Sequence, residues 1–169
     1  VGCGGGARLA WLKNNLNADC YGIEPFAQAV ATACAKCLNV QQGTADVLPF
    51  DDQCFDIVIF GFCLYLCDRE DLFRIASEAD RVLRALGWLI ILDFFSPVPC
   101  AKTYHHKPGV LSHKMDYRTL FNWHPDYECM KHTIISHAEA TDSKISYTDE
   151  QDEWMGISIL RKYQKYLIA

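Results

Sequence analysis

Residues 1–10 read VGCGGGARLA. Gly2, Gly4 and Gly6 alternate, and a helical pattern begins directly behind them. A loop without side chains lets backbone N–H groups approach a ligand closely, and the start of a helix adds positive dipole. Such a turn joins the first strand of a nucleotide-binding sheet to the helix after it. Only Val1 stands ahead of it here. Most of that first strand is therefore expected to lie outside this sequence, making the chain a piece truncated at its N-terminus from a longer reading frame. The stretch also fits the dinucleotide fingerprint, with Glu24 placed to hold a ribose. A nicotinamide oxidoreductase stays open at this point.

Working outward, short apolar runs alternate with helical patterns. CYGIE (20–24) predicts a strand, and Pro25 opens a helix to about Leu38. VQQGTA (40–45) is a weak strand and FDIVIFGF (55–62) a strong buried one. REDLFRIASEADRVLRAL (69–86) predicts an amphipathic helix ended by Gly87, and WLIILDFF (88–95) another buried strand. This alternation means a parallel sheet with helices on both faces. After Pro97 the chain turns polar and irregular, with a short helix expected near Tyr117 to Trp123. YECMKHTIISHA (127–138) and WMGISILRKY (154–163) read as two late strands, an antiparallel hairpin at the sheet edge, with turn-forming acidic residues between them. The whole, residues 1–169, reads as a single domain.

Half the residues are hydrophobic (50%) and 22% are charged, a globular balance. No apolar run reaches the length of a membrane helix, and no basic-then-apolar leader opens the sequence. The nine cysteines show no framework of spacings. They are expected to be reduced and mostly buried, in a cytoplasmic setting. Cys34 and Cys37 form a CxxC inside an Ala-rich helical pattern, which favours small buried hydrophobes over zinc. No metal site is expected. The net charge of -5 gives no general attraction to nucleic acid.

Two carboxylates carry the chemistry. Glu24 ends a strand, where a carboxylate can accept both ribose hydroxyls; it also reads as an exposed glutamate with no role. Asp46 follows a weak strand, where it can accept from an adenine amine or cap a turn.

With VGCGGG, GIEP (22–25), GTADVLPFDDQCFDIVIF (43–60) and RVLRALGWLIILD (81–93) in this order and spacing, the sequence resembles the class I S-adenosylmethionine-dependent methyltransferases of the type 11 branch. The resemblance covers roughly residues 1–95. It implies an α/β, Rossmann-like sheet in the spatial order 3-2-1-4-5-7-6, mostly parallel, with the last strand antiparallel. Carried over by position, Gly2, Cys3 and Gly4 border the methionine end within the Gly2–Gly6 loop, and Glu24 holds the ribose. Pro25 packs near the adenosine, Asp46 and Val47 meet the adenine, and Gly61 and Phe62 sit under the methionine and sulfonium. Two positions depart from the family pattern. The acidic residue two places before the first glycine lies off this chain, and Tyr65 stands where a histidine is frequent.

Methyl transfer is an in-line displacement in which alignment supplies most of the acceleration, and a base is needed only if the acceptor must lose a proton. The acceptor pocket is expected after the WLIILDFF strand, where TYHHKPG (103–109) lies. His105 and His106 are the candidates for acceptor contact or base, against the reading of a solvated loop. Asp93 is a further candidate to face the site. Lys102, Lys107, Lys114 and Arg118 stand against Asp116 alone, so the expected acceptor is a small molecule, polar or anionic. A methyltransferase-like module that binds a partner without catalysis is the third reading. No [DN]PP[YFW] stretch follows the FDIVIFGF strand, which disfavours amine methylation of DNA bases.

Overall fold

Phe55–Gly61 is a strongly apolar run and forms a strand, with Val58 and Phe60 turned into the core. The structure is a computed structural model and describes residues 1–136 and 154–164. In chain order the elements are α1 (Ala7–Leu16), β1 (Tyr21–Glu24), α2 (Ala27–Cys34), β2 (Asn39–Gln42), β3 (Phe55–Gly61), α3 (Leu72–Val82), β4 (Leu83–Phe94), β5 (Cys100–Thr103), β6 (Leu111–Lys114), β7 (Tyr127–Ser136) and β8 (Trp154–Lys162). Short 3-10 turns lie at Leu64–Leu66, Arg69–Asp71 and Tyr117–Leu120.

β1 and β2 pair in parallel as one sheet, and a second sheet has the order β3-β4-β8-β7. β3 and β4 are parallel, and β8 and β7 run antiparallel at the edge. In the order that the resemblance implies, these are its strands 3-2 and 4-5-7-6, in two sheets rather than one, with the late hairpin where the sequence puts it. Between the two sheets runs a seam. Val1 bridges it: its N-terminus donates to the Ile59 carbonyl at 2.7 Å, its carbonyl accepts from Gly61 N–H at 3.1 Å, and Gly2 N–H donates to the Ile23 carbonyl at 2.9 Å.

α3 packs its Leu72, Ile75, Ala76, Ala79 and Val82 face onto this sheet. The apolar stripe at helical spacing dictates that face. Phe60, Leu83, Leu89 and Leu160 are fully enclosed.

Several expectations change. α2 starts at Ala27, two residues after Pro25, and stops at Cys34. α3 ends at Val82, not at Gly87: Leu83 turns extended and pairs with Phe55. Leu86 takes φ 60°, and residues 84–87 bulge before pairing resumes at Trp88. Long-range pairing with β3 overrides the helical pattern there. None of the nine free cysteines falls in the buried class, and Cys34, Cys37, Cys54 and Cys100 are exposed. Cys34 and Cys37 sit at the outer end of α2 and in the turn after it. The stretch after Pro97, expected to be irregular, contains the separate β5–β6 hairpin. β5 is exposed throughout, so no apolar alternation marks it. The acidic turn residues of 137–153 lie outside the described residues. Among the described residues no helix is long and apolar enough to cross a membrane.

Candidate functional site

The tips of β1, β2 and β3 end at one cleft of about 640 Å³. The glycine loop forms one wall. Gly2, Gly4 and Gly6 all have positive φ (70°, 51° and 79°), a backbone path that side chains resist. The glycines differ in what surrounds them. A Cβ on Gly6 would meet Leu38 Cδ1 at 2.4 Å and Ala33 Cβ at 3.1 Å. Gly6 therefore lets the start of α1 press against α2 and is not among the cleft residues. Gly4 has no atom within 4 Å of where its Cβ would stand. That space belongs to the cleft, and it suits a ligand lying against bare backbone.

Glu24 is the tip of β1. Its Oε2 accepts from Gly4 N–H at 2.9 Å and its Oε1 from Phe26 N–H at 3.1 Å. Each oxygen keeps a further lone pair for a hydroxyl. Pro25 follows in the cleft wall. Past β2, Asp46 enters the cleft beside Thr44 and Ala45. A hydrogen bond from the Thr44 side chain, helped by Arg74 nearby, holds its carboxyl below the usual range. Val47 points elsewhere: it is 64% exposed and does not line the cleft.

Gly61 and Phe62 form the floor with Cys63. Phe62 has φ 56°, rare for a bulky residue, and the Arg8 guanidinium lies 5.3 Å from its ring centre. Cys3 lines the same end, and burial pushes its thiol up. Thus Gly2, Cys3, Gly4, Glu24, Pro25, Asp46, Gly61 and Phe62 share one cleft, while Gly6 and Val47 do not.

His105 and His106 are in the turn between β5 and β6, both exposed, their rings 3.8 Å apart. They do not line the cleft. A row of rings lies between: Phe62 and Phe94 at 5.4 Å, Phe94 and Tyr65 at 4.9 Å, Tyr65 and Tyr104 at 6.0 Å, Tyr104 and His106 at 5.2 Å. Lys114 Nζ stands 5.1 Å from the Phe94 ring centre. Asp93 does not face the cleft either; it is buried beneath the floor.

Sequence reasoning missed Arg8, Lys36, Asp68 and Asp71, which also line the cleft. Asp71 and Ile75 lie four residues apart and both look into it, a helical spacing that was readable. Arg8 gave no signal, because its role depends on β3 passing beneath α1.

A glycine loop, a carboxylate at one strand tip and another past the next converge on one cleft of an α/β sheet. The sequence family described as a methyltransferase domain matches residues 1–91, more than half of the chain. A ubiquinone/menaquinone biosynthesis C-methyltransferase, UbiE, of Vibrio vulnificus (strain YJ016) is 35% identical over 105 residues, covering 53% of this chain. The chloroplastic 2-phytyl-1,4-beta-naphthoquinone methyltransferase of Arabidopsis thaliana is 31% identical over 104 residues, covering 62% of this chain. Each match spans 39% of the relative's own length. Among solved structures, a SAM-dependent methyltransferase of Methanosarcina mazei superposes with TM-score 0.71 at 16% identity, covering 96% of this chain and 90% of that one. A chain in the complex between the Haloferax volcanii Trm112 methyltransferase activator and the putative methyltransferase gives TM-score 0.73 at 16% identity, covering 98% and 81%. The chain belongs to the methyltransferase-domain family, a class that uses S-adenosylmethionine. Membership displaces the nicotinamide reading that the glycine spacing alone left open.

Proposed function

We propose that this chain takes part in transfer of a methyl group from S-adenosylmethionine to a small-molecule acceptor. The observation that carries the reading is the convergence of Gly4, Glu24 and Asp46 on one cleft, from three separate elements. Glu24 would accept from the ribose hydroxyls beside Pro25, and Asp46 from the adenine amine. Gly2, Cys3 and Gly4 would lie along the methionine, with Gly61 and Phe62 beneath it. The open space at Gly4 and the spare lone pairs of Glu24 fit that group.

When bound, the cofactor supplies a methyl carbon on a positively charged sulfur. An acceptor held in line would receive that carbon, the S–C bonding pair remaining with sulfur. Any acceptor proton goes to a base or to water. The protein's task is alignment and exclusion of water. The ring row from Phe62 to Tyr104, with Lys114 beside Phe94, supports a flat acceptor that is polar or anionic. Two relatives bear names that concern quinones, which supports a ring-bearing acceptor. In this reading His105 and His106 form the outer rim of the acceptor path, and Tyr65 and Tyr104 stand closer to the methyl group. A cytoplasmic setting fits the free thiols.

Calorimetry with S-adenosylhomocysteine and with NAD tests the reading. Binding of the first and not the second is expected. Binding of NAD alone would overturn it, as would failure of both.

A further inference from the structure

Asp93 is the penultimate residue of β4, with 2% exposure. Its Oδ2 accepts from Cys63 N–H at 3.0 Å and from Leu64 N–H at 2.8 Å. Its Oδ1 accepts from its neighbour Phe94 N–H at 2.8 Å. The two Oδ2 donors directly follow Phe62, which holds its left-handed backbone at φ 56°. Such a conformation in a bulky residue persists only where its surroundings impose it. On the other side of the strain, Phe62 N–H donates to the Leu92 carbonyl at 2.8 Å. The end of β4 therefore grips the Phe62 turn from both sides, by a carbonyl before it and a carboxylate after it.

We infer that Asp93 is a positioning residue: as a carboxylate anion it holds the Phe62–Leu64 turn in the shape that forms the cleft floor, and it releases that shape when protonated. The inference rests on the cleft being the cofactor site. A carboxylate offers only acceptors to the N–H groups around it. A protonated carboxyl turns one oxygen into a donor, and that oxygen then faces an N–H.

The surroundings favour such a switch. Burial pushes the Asp93 carboxyl up to about 6, although the Phe94, Leu64, Cys63 and Tyr65 backbone groups pull the other way. Titratable groups face it from each packed element: Cys63, Tyr65 and Cys67 from the segment after β3, and Asp116 and Tyr117 from the turn before β7. His132 faces it from β7, and uncharged Ser158 from β8. A void of about 10 Å³ lies among Asp93, Asp116, Tyr117, His132 and Ser158. His132 Nδ1 meets Ser158 Oγ at 3.0 Å, while its buried Nε2 has no partner. Burial lowers the His132 pKa, so this ring resists taking up a proton.

The test uses the full chain and its Asp93→Asn variant, which keeps the size but puts an NH2 group against an N–H. S-adenosylhomocysteine affinity is measured by calorimetry between pH 7.5 and 5, and amide hydrogen exchange is followed at Cys63 and Leu64. Wild-type affinity is expected to fall about tenfold on acidification, the effect of losing one hydrogen bond to a charged group. The variant should bind weakly at every pH. Its Cys63 and Leu64 amides should exchange faster while β3 and β4 stay protected. Equal affinity in both proteins, flat with pH, with both amides still protected, would overturn the inference. If wild type binds no cofactor at pH 7.5 yet the variant loses protection only at Cys63 and Leu64, the cofactor reading fails and the grip of Asp93 on the turn stands.

Discussion

Gly4 gives its backbone N–H to the Glu24 side chain at 2.9 Å, across twenty residues of sequence. The loop that would lie along the methionine and the carboxylate that would hold the ribose are thus joined before any ligand arrives. Glu24 therefore positions the glycine loop as well as lining the cleft.

Glu24→Ala would strip the acceptor from the Gly4 and Phe26 N–H groups and remove the ribose contact together. Affinity for S-adenosylhomocysteine should fall at least tenfold by calorimetry, since hydrogen bonds to charged groups contribute about 1.5–3 kcal/mol. Affinity at the wild-type value would take Glu24 out of the site.

The glycine loop separates two effects. Gly6→Ala would force a methyl group into Leu38 and Ala33 at a φ of 79°, so chemical unfolding should show a loss of stability above 1 kcal/mol, roughly. Gly4→Ala meets no protein atom, so it should lose less stability but bind cofactor about tenfold more weakly. The reverse ranking would contradict the placement of the cleft.

Arg81 staples the segment after Asp46 to α3. It donates to the Leu48 carbonyl at 2.9 Å and to the Phe50 carbonyl at 2.7 Å, and it pairs with Glu78 at 2.7 Å and Asp52 at 2.8 Å. Arg81→Met should lower Tm clearly, whereas Arg84→Met, which breaks the exposed pair with Asp56, should barely move it. The hydrogen bond from Arg81 also holds the Glu78 carboxyl below its usual range. A depressed folded pKa stabilises above the unfolded value. That contribution is therefore complete above about pH 4.3 and disappears as pH falls through the lower folded pKa. A Tm-against-pH curve should lose this acid limb in Glu78→Gln.

On the acceptor side, Lys102 and Lys107 belong to the exposed β5–β6 hairpin, while Lys114 sits over Phe94 in the ring row. With an anionic acceptor, Lys114→Met should raise its KM and leave cofactor affinity unchanged. Neutralising Lys102 and Lys107 should act weakly and vanish with added salt. A larger effect from the hairpin pair would move the acceptor outward, to His105 and His106.

Short-range chemistry was legible in the sequence. α1 follows the glycines as the pattern requires, and the Phe55–Gly61 run forms its strand. The order of motifs placed Gly4, Glu24, Asp46 and Phe62 at one edge. What escaped depends on contacts remote in sequence. Leu83 and Leu86 match a helical stripe, yet pairing with Phe55 draws Leu83 into a strand. The β5–β6 hairpin buries little, so no periodicity announces it. Asp93 looked like a site residue because it ends a strand, but its side chain is consumed by backbone amides below the floor. Val47 shows the same limit at the scale of one residue.

The two sides of the cleft rest on different strand pairs. Glu24 and Asp46 belong to the side built on β1 and β2, and Gly61 and Phe62 to the side built on β3 and β4. Backbone hydrogen bonds that tie the two sheets together run through Val1, Gly2 and Cys3 at one level of the seam. A ligand filling the cleft would touch both sides at once. Binding there would depend on the spacing between Glu24 and Phe62, so a substitution that shifts either strand tip should be felt at the other end of the same ligand.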